Sequence, residues 1–352
     1  EAIPLYEKAL ADSVRVLGDG IPTSSNDPVA ADVTDLRELC CRSETDTVSV
    51  GRTHDVNSES ALRLKTAGVH FGVNSFRAIL GRLDEILANS ISRLGPDLLG
   101  VLASLNNLAG ALREAGRLGE ATPLFEEVLA DRVRVLGPDH PHTLASRNNL
   151  AGAYLGAGRL DEATALYEEV LADRMRILGA DHPDTLTSRG NLAYAYRSAG
   201  RLTDAMALYE DVLADRMRIL GADHPDTLTS RGNLAYAYRS AGRLTDAMAL
   251  YEDVLADRIR ILGADHPDTL ISRYNLAHAC WEAGRLDEAI TLFEEVLAGQ
   301  LRVLGPNHPG AVASRGYLAR AYREAGRIDD ATAVLDLPTD PDDVDADRIE
   351  SR

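Results

Sequence analysis

Histidines recur in this sequence at a constant interval, and histidine is the side chain that most often binds metal ions or transfers protons near neutral pH. One histidine in each repeated unit cannot place several ring nitrogens within about 2 Å of one zinc ion. Three of them begin the tripeptide His-Pro-Asp, in which proline and an acid suit the first turn of a helix. The pattern therefore indicates helix starts and argues against a metal site. The histidines, each 42 residues after the one before, are His140, His182, His224, His266 and His308.

No other arrangement of reactive residues predicts catalysis. The sequence contains no phosphate-binding glycine loop, no Gly-x-Ser-x-Gly, no His-Glu-x-x-His and no paired carboxylates outside the repeated helix faces. Its three cysteines, Cys40, Cys41 and Cys280, are too few for a disulfide framework and predict free thiols in a reducing compartment. We predict that the protein is not an enzyme and needs neither a cofactor nor a metal.

The charge of the chain bears on its class of partner. Its net charge is −18 over 352 residues, whereas proteins that bind nucleic acid draw much of their affinity from clustered Lys and Arg. The sequence has no run of about 18 apolar residues, and its first ten residues, EAIPLYEKAL, lack the basic-then-apolar pattern of a signal peptide. We predict a cytoplasmic protein that binds neither nucleic acid nor a membrane.

The chain is organised around residues 181–222, which are followed at once by a second copy at residues 223–264. The two copies differ only where Met217 of the first is replaced by Ile259 of the second. Because a single unit of this kind cannot bury its own apolar face, tandem copies must stack on one another. The sequence therefore predicts an all-α solenoid.

Each unit is predicted to contain two helices, which we name helix A and helix B. In the first copy, helix A begins near Pro183, and Gly200 ends it with a positive φ. Helix B begins at Thr203, which is expected to be its N-cap, and stops at Gly221. In other units, aspartates with the same capping ability occupy the place of Thr203, namely Asp161, Asp287 and Asp329.

The segment NLAYAYRSAGRLTDAMALYEDVL resembles the tetratricopeptide repeat. The 42-residue period, the long second helix, the linker LGxDHPDTL and the segments NNLA and GNLA resemble the kinesin light chain type of that family. The resemblance implies a right-handed superhelix that serves as a protein-binding scaffold. It also implies, for bacterial members, a likeness to the sensor arrays attached to signalling NTPases. The residues at the family's packing positions are Leu192, Ala193, Tyr196, Ala205, Tyr209 and Val212.

The regularity of the repeats divides the chain into four predicted parts. Residues 1–18 match the second helix of a truncated repeat, so we expect the sequence to be a piece of a longer protein. Residues 19–95 read as degenerate, partly disordered repeats, and residues 96–337 as a solenoid of about six units. Residues 338–352 read as an acidic disordered tail.

A helical wheel separates two faces of helix A. Leu186, Leu192 and Ala193 fall on the packing face, with Tyr196 and Ala199, and the opposite face lines the concave groove in the resembled family. Asparagine amides there can bind a peptide backbone, arginines can select acidic residues, and aromatic rings can anchor side chains. Alternatively, each asparagine caps or bridges neighbouring helices. The candidate peptide-binding residues are Asn107, Asn149, Asn191, Asn233, Asn275, Tyr194, Tyr236, Arg197, Arg239, His278 and Trp281.

A second row of arginines, represented by Arg189, falls on the packing face of the same wheel. A charge there is unfavourable unless it is paired. We therefore predict a structural role for this row, with Arg189 bound to an acid of helix B: Glu210, Asp211 or Asp215.

These observations predict a scaffold that binds a peptide or protein segment in the concave groove, with a preference for acidic and aromatic residues and with self-association as a further possibility. Ligand discrimination is expected where the units diverge, at Leu155, Tyr274, His278 and Trp281. Two alternatives stay open. The repeats could be the sensor of a larger signalling NTPase, or a structural spacer without a specific ligand.

Overall fold

A computed structural model describes residues 99–336, which form twelve helices and contain no strand. Odd-numbered helices are the A helices of successive units, and even-numbered helices are the B helices. They are α1 (99–114), α2 (Leu118–Leu136), α3 (Pro141–Gly156), α4 (Leu160–Leu178), α5 (Pro183–Ser198), α6 (Leu202–Leu220), α7 (Pro225–Ser240), α8 (Leu244–Leu262), α9 (Pro267–Glu282), α10 (Leu286–Leu304), α11 (Pro309–Glu324) and α12 (Ile328–Leu335).

The chain divides into two compact subdomains, each containing several repeat units: an N-terminal subdomain, Glu1–Ile177, and a C-terminal subdomain, Leu178–Arg352. In the first, α2 packs against α3, and Leu102 and Phe125 are fully buried. In the second, each helix from α5 to α12 packs against the next along the chain. The expectations for residues 1–18, 19–95 and 338–352, and for Cys40 and Cys41, lie outside the described residues.

Small residues at the helix contacts explain how the helices of the C-terminal subdomain approach one another closely. Ala193, Ala195 and Ala205 are completely buried, and Leu192 and Val212 are nearly so. Among the packing positions that the sequence indicated, Tyr196 and Ala199 are half-buried, and the guanidinium of Arg201 lies 3.9 Å above the Tyr196 ring. Cys280 is also buried, as expected of a small residue at a packing position. The predicted packing face is confirmed.

The recurring histidines are the N-caps of the A helices. His182 precedes Pro183, and its Nδ1 accepts a hydrogen bond of 3.1 Å from the backbone N–H of Asp184. This bond satisfies one of the N–H groups that have no partner inside the helix. Equivalent bonds of 3.1 to 3.2 Å recur at the other four units, at His140, His224, His266 and His308. The histidines thus begin helices, as the sequence indicated.

The predicted start of helix B is wrong: the helix begins one residue before Thr203, and its N-cap lies two residues before it. Helix α6 begins at Leu202, its N-cap is Arg201 without a side-chain cap, and Thr203 lies inside the first turn. The reason is the turn before it, in which the N–H of Arg201 donates to Tyr196 O at 2.8 Å and fixes where the chain reverses. Asp161, Asp287 and Asp329 likewise stand in the first turn rather than at the cap. The acid that bonds the N-cap arginine is Asp204, at 2.8 Å from Arg201 Nε.

Ion pairs join the two helices of a unit to the linker that precedes them. Asp215 of α6 binds Arg189 of α5 at 2.7 Å and Arg218 at 2.9 Å, and Arg218 also binds Asp181 at 2.6 Å. The predicted partner of Arg189 is therefore confirmed as Asp215. The same pairing recurs as Arg147–Asp173 and Arg231–Asp257, each at 2.8 Å.

Within residues 99–336, no helix is long and apolar enough to cross a membrane. The same part of the chain contains no group of three or more His, Cys, Asp or Glu side chains placed to hold a metal ion.

The glycine that ends each B helix generates a first prediction. Gly221 has φ 90° and ψ 166°, a region that residues with a Cβ rarely adopt. Gly221→Ala should destabilise the protein by about 1–3 kcal/mol through backbone strain. Gly232, inside α7 with open space where a Cβ would lie, is the matched control, and Gly232→Ala should stabilise it by about 0.5–1 kcal/mol. Urea unfolding followed by circular dichroism measures both, and equal effects would contradict this account.

The Arg–Asp pairs generate a second prediction. Hydrogen bonds from Arg218 and Arg189 lower the pKa of Asp215 in the folded state. A lowered folded-state pKa stabilises the protein above the unfolded value of about 3.9, and this contribution disappears as the pH falls through the folded-state pKa. Asp215→Asn should therefore lower stability at pH 7 and flatten its decline below about pH 4. Unfolding free energies from pH 7 to 2 test this, with the exposed Asp211→Asn of the same helix as the control.

Candidate peptide-binding face

The eleven candidate residues lie on the face of the A helices that carries Asn191, Tyr194 and Arg197 in α5, which we name the helix A face. None of the eleven is fully buried. On the opposite side of the same helix, Leu186 and Leu192 are 2% and 4% exposed. The two faces that the helical wheel separated are therefore different in the folded protein.

Tyrosines and arginines alternate along this face in the C-terminal subdomain. The guanidinium carbon of Arg197 lies 4.7 Å from the ring centre of Tyr194 and 4.3 Å from that of Tyr236. Arg239 lies 4.5 Å from the same Tyr236 ring. Cation–π contacts of this kind hold a guanidinium in place while leaving its charge uncancelled. Four of the candidate residues thus form one layered arrangement, which we name the Tyr–Arg stack.

Two buried tyrosines of the B helices lie beneath the stack. Burial raises the pKa of Tyr209 to about 12, and the positive charge of Arg197, followed by a hydrogen bond with it, opposes the rise. Tyr251 is 1% exposed, and burial raises its pKa as well. Both phenols therefore stay neutral at physiological pH. The charge of the arginines above them is not compensated from below.

The two arginines of the stack differ in their acidic neighbours. Arg239 Nε lies 3.4 Å from Glu282 Oε2, and Glu282 is 44% exposed. Among residues 99–336, no carboxylate lies within ion-pair distance of Arg197. Arg197 is consequently the cation of the stack that can accept an external carboxylate without giving up an internal one.

His278 belongs to a cluster of rings next to the stack. Its Nε2 lies 2.9 Å from the Tyr274 hydroxyl, and its ring centre lies 4.8 Å from that of Tyr317 and 5.4 Å from that of Phe293. Burial, and then the charges of Arg239 and Arg320, lower the pKa of His278 to about 4. The ring is neutral at physiological pH.

Trp281 is held by its own neighbours. Its Nε1 donates to Glu324 Oε2 at 2.5 Å, and the guanidinium of Arg320 lies 4.7 Å above its ring. Its centre is also 5.6 Å from that of His278. The predicted aromatic anchor is therefore part of a packed cluster, so a ligand would meet the edge of that cluster.

The asparagine row does not behave uniformly. Asn107 and Asn233 are exposed, whereas Asn191 and Asn275 are half-buried. Asn149 Nδ2 donates to Asn106 Oδ1 of α1 at 3.2 Å. This contact fits the alternative in which an asparagine bridges neighbouring helices.

The described part of the N-terminal subdomain lacks the Tyr–Arg stack. Gly152 stands where Tyr194 stands in α5, and a Cβ at Gly152 would lie 2.9 Å from Arg113 Nη1. Arg113 thus fills the space that the glycine leaves. Leu155 takes the place of Arg197.

Sequence reasoning missed several residues that shape this face. Glu282 partners Arg239, Tyr209 and Tyr251 form the floor, and Phe293 supports the ring cluster. One signal was available for Glu282, because the near-identical units have serine at that place. The floor residues gave no such signal, since they read only as packing positions.

Comparison with known proteins agrees with this architecture. A sequence model of the tetratricopeptide repeat matches residues 100–176, 148–218 and 274–336, which together are more than half of the chain. A second tetratricopeptide repeat model matches residues 227–268. No curated protein matches the chain.

Two solved structures from Podosopora anserina, described as a kinesin light chain with nearly identical TPR-like repeats, are similar to this chain. The first is 37% identical, covers 57% of this chain and 95% of its own, and has a TM-score of 0.51. The second is 36% identical, with coverages of 58% and 96% and a TM-score of 0.50. The chain therefore belongs to the tetratricopeptide repeat family, and its repeats are of the kinesin light chain type.

Proposed function

We propose that the helix A face of the C-terminal subdomain binds a peptide or protein segment in which acidic residues stand next to aromatic ones. The tetratricopeptide repeat is a fold that serves as a scaffold for protein–protein interactions. The observation that carries the finer proposal is Arg197, which is held between two tyrosine rings and has no carboxylate partner among residues 99–336. A fixed, unpaired cation on an exposed face suits an acidic ligand.

The arrangement favours binding because the arginines are ordered before a ligand arrives. Holding a long side chain in one geometry normally loses rotamer entropy, which weakens exposed ion pairs. Here the rings of Tyr194 and Tyr236 restrict the guanidinium of Arg197 in advance. An incoming carboxylate meets an ordered donor, and an aromatic residue beside it can pack on Tyr194, which is 48% exposed.

A ligand would reach Arg239 by competing with Glu282. Glu282 is exposed and lies 3.4 Å from Arg239 Nε, so a carboxylate of the ligand can take its place. The exposed amide of Asn233 and the half-buried amides of Asn191 and Asn275 offer hydrogen bonds to the ligand backbone. Affinity should fall with added salt without vanishing, because screening weakens exposed charges more than amide contacts.

A charge-reversal experiment tests the proposal. The double variant Arg197→Glu with Arg239→Glu should bind acidic, aromatic-containing peptides at least about tenfold more weakly, since two attractions become repulsions. The matched control is Arg201→Glu with Arg243→Glu, which changes the net charge equally in the same two units but at the turns between helices. Fluorescence anisotropy with labelled peptides measures both, with circular dichroism to verify folding. Equal affinities for the two double variants would overturn the proposal.

The neutrality of His278 gives a pH prediction for the same face. Since its pKa is about 4, the ring should not titrate between pH 8 and 5, and it should add no pH dependence to peptide affinity in that range. Removing a neighbouring positive charge with Arg239→Gln should raise the pKa of His278. Ring ¹H–¹³C NMR shifts followed from pH 8 to 3 measure the midpoint. A midpoint near 6.5, that of an unperturbed histidine, would contradict the geometry described here.

A further inference from the structure

The last residue of each A helix in the C-terminal subdomain lies at one repeated position, which we name the gate position. Helices α5 and α7 end in serine there, and α9 and α11 end in glutamate. All four residues are exposed. The charge of the helix A face therefore changes with this position from one unit to the next. The four residues are Ser198, Ser240, Glu282 and Glu324.

Both glutamates reach back to helix A of the preceding unit. Glu282 Oε2 lies 3.4 Å from Nε of Arg239, and Glu324 Oε2 accepts a hydrogen bond of 2.5 Å from Nε1 of Trp281. Trp281 occupies in α9 the place that Arg239 occupies in α7, and in both contacts the glutamate follows its partner by 43 residues. A contact that recurs between equivalent positions is a property of the repeat geometry. A glutamate at the gate position of α7 would accordingly reach the same place in α5.

The serine at the gate position of α7 makes a different contact. Ser240 Oγ donates to Tyr236 O of its own helix at 3.0 Å. The place 43 residues earlier belongs to Arg197, which has no carboxylate partner among residues 99–336. A neutral hydroxyl that bonds to its own helix leaves the charge of that arginine uncompensated. Ser240 is thus the residue that keeps Arg197 open.

The spacing of the two arginines determines what a second acid of a ligand would meet. The guanidinium carbons of Arg197 and Arg239 lie 4.3 and 4.5 Å from the centre of the same Tyr236 ring, and the two distances together allow a separation of at most about 9 Å. In an extended segment, side chains two residues apart lie on one face and about 7 Å from each other. Two such acids could therefore reach both arginines. At Arg239 the second acid would displace Glu282 and exchange one exposed ion pair for another, which gives little net gain.

Given the peptide binding proposed above, on which this inference rests, we propose that the gate position determines which arginines of the helix A face are open to a ligand. Ser240 leaves Arg197 open, and Glu282 closes Arg239. The face consequently selects a segment with one acidic residue beside an aromatic one, and a second acid two residues further on adds little to its affinity. The gate position can change without loss of the fold, since the chain itself carries both serine and glutamate there.

Two variants test the control of Arg197 without any ligand. Ser240→Glu should bring a carboxylate to Arg197. The matched control is Ser198→Glu, which adds the same charge in the same sequence YRSAGR but has Leu155 at the place 43 residues earlier. In ¹H–¹⁵N NMR of the arginine side chains, the Nε–H signal of Arg197 should shift more in Ser240→Glu than in Ser198→Glu. Equal shifts would overturn control by the gate position.

Peptide affinity tests the selection of a single acid. The probes are two labelled peptides that contain Phe-Glu-Ser-Gln or Phe-Glu-Ser-Glu in an otherwise identical neutral sequence, with binding to the full chain followed by fluorescence anisotropy. The wild type should bind the two peptides within about 1.5-fold of each other, whereas Glu282→Ser, which frees Arg239, should favour the peptide with two acids about three- to fivefold. The same preference in both proteins would contradict the selection.

The gate variants of the serines complete the test with the peptide that has one acid. Ser240→Glu should weaken its binding about three- to fivefold, and Ser198→Glu should leave the affinity within about 1.5-fold of the wild type. Equal losses in the two variants would count against Ser240 as the residue that keeps Arg197 open. If the wild type binds neither peptide, the proposed function fails together with the selection of one acid, whereas the NMR shifts still decide whether the gate position controls Arg197.

Discussion

Burial of apolar surface between successive helices is the constraint on which the rest of this structure depends. Among helices α5 to α12, no helix pair covers its own apolar face, so each pair packs against its neighbour along the chain. Completely buried alanines, such as Ala193 and Ala205, let the backbones approach closely. Glycines with positive φ then return the chain to the same packing position, as Gly200 and Gly221 do in the first of the near-identical units. The helix A face remains exposed because the packing uses the opposite side of the helix.

Arginine serves two purposes in this fold, and neighbouring acids decide which. Arg189 lies on the packing face, where Asp215 of the partner helix satisfies it. Arg197 is two helical turns further along α5, where tyrosine rings flank it and no acid of the described residues reaches it. A net-acidic chain can thus present a local cation, because acids such as Asp204 and Asp181 pair with arginines at the turns and linkers rather than with Arg197. Net charge alone gave no indication of that arrangement.

The positions that depart from the repeat have the largest effect on the surface. Glu282 replaces a serine and pairs with Arg239, and Tyr274 replaces a glycine and brings a ring to His278. Gly299 and Gln300 replace an Asp-Arg pair and leave a cavity. A regular array supplies nearly equal environments, so a single substitution changes one environment while the neighbouring units preserve the fold. Specific recognition is therefore compatible with a scaffold of near-identical units.

The sequence by itself determined the helix pairs, their period, the buried side of each helix and the pairing of Arg189 with one of three acids of helix B, because these follow from spacing along one helix or between two adjacent ones. It misplaced the start of helix B at Thr203, since a three-dimensional turn ending at Arg201 fixes that start. Only the tertiary structure decided that Arg197 lies between two tyrosines of different units, that Trp281 is held by Glu324, and that Gln300 lines a cavity. Each of these depends on distances between side chains of different helices, which periodicity along the chain does not specify.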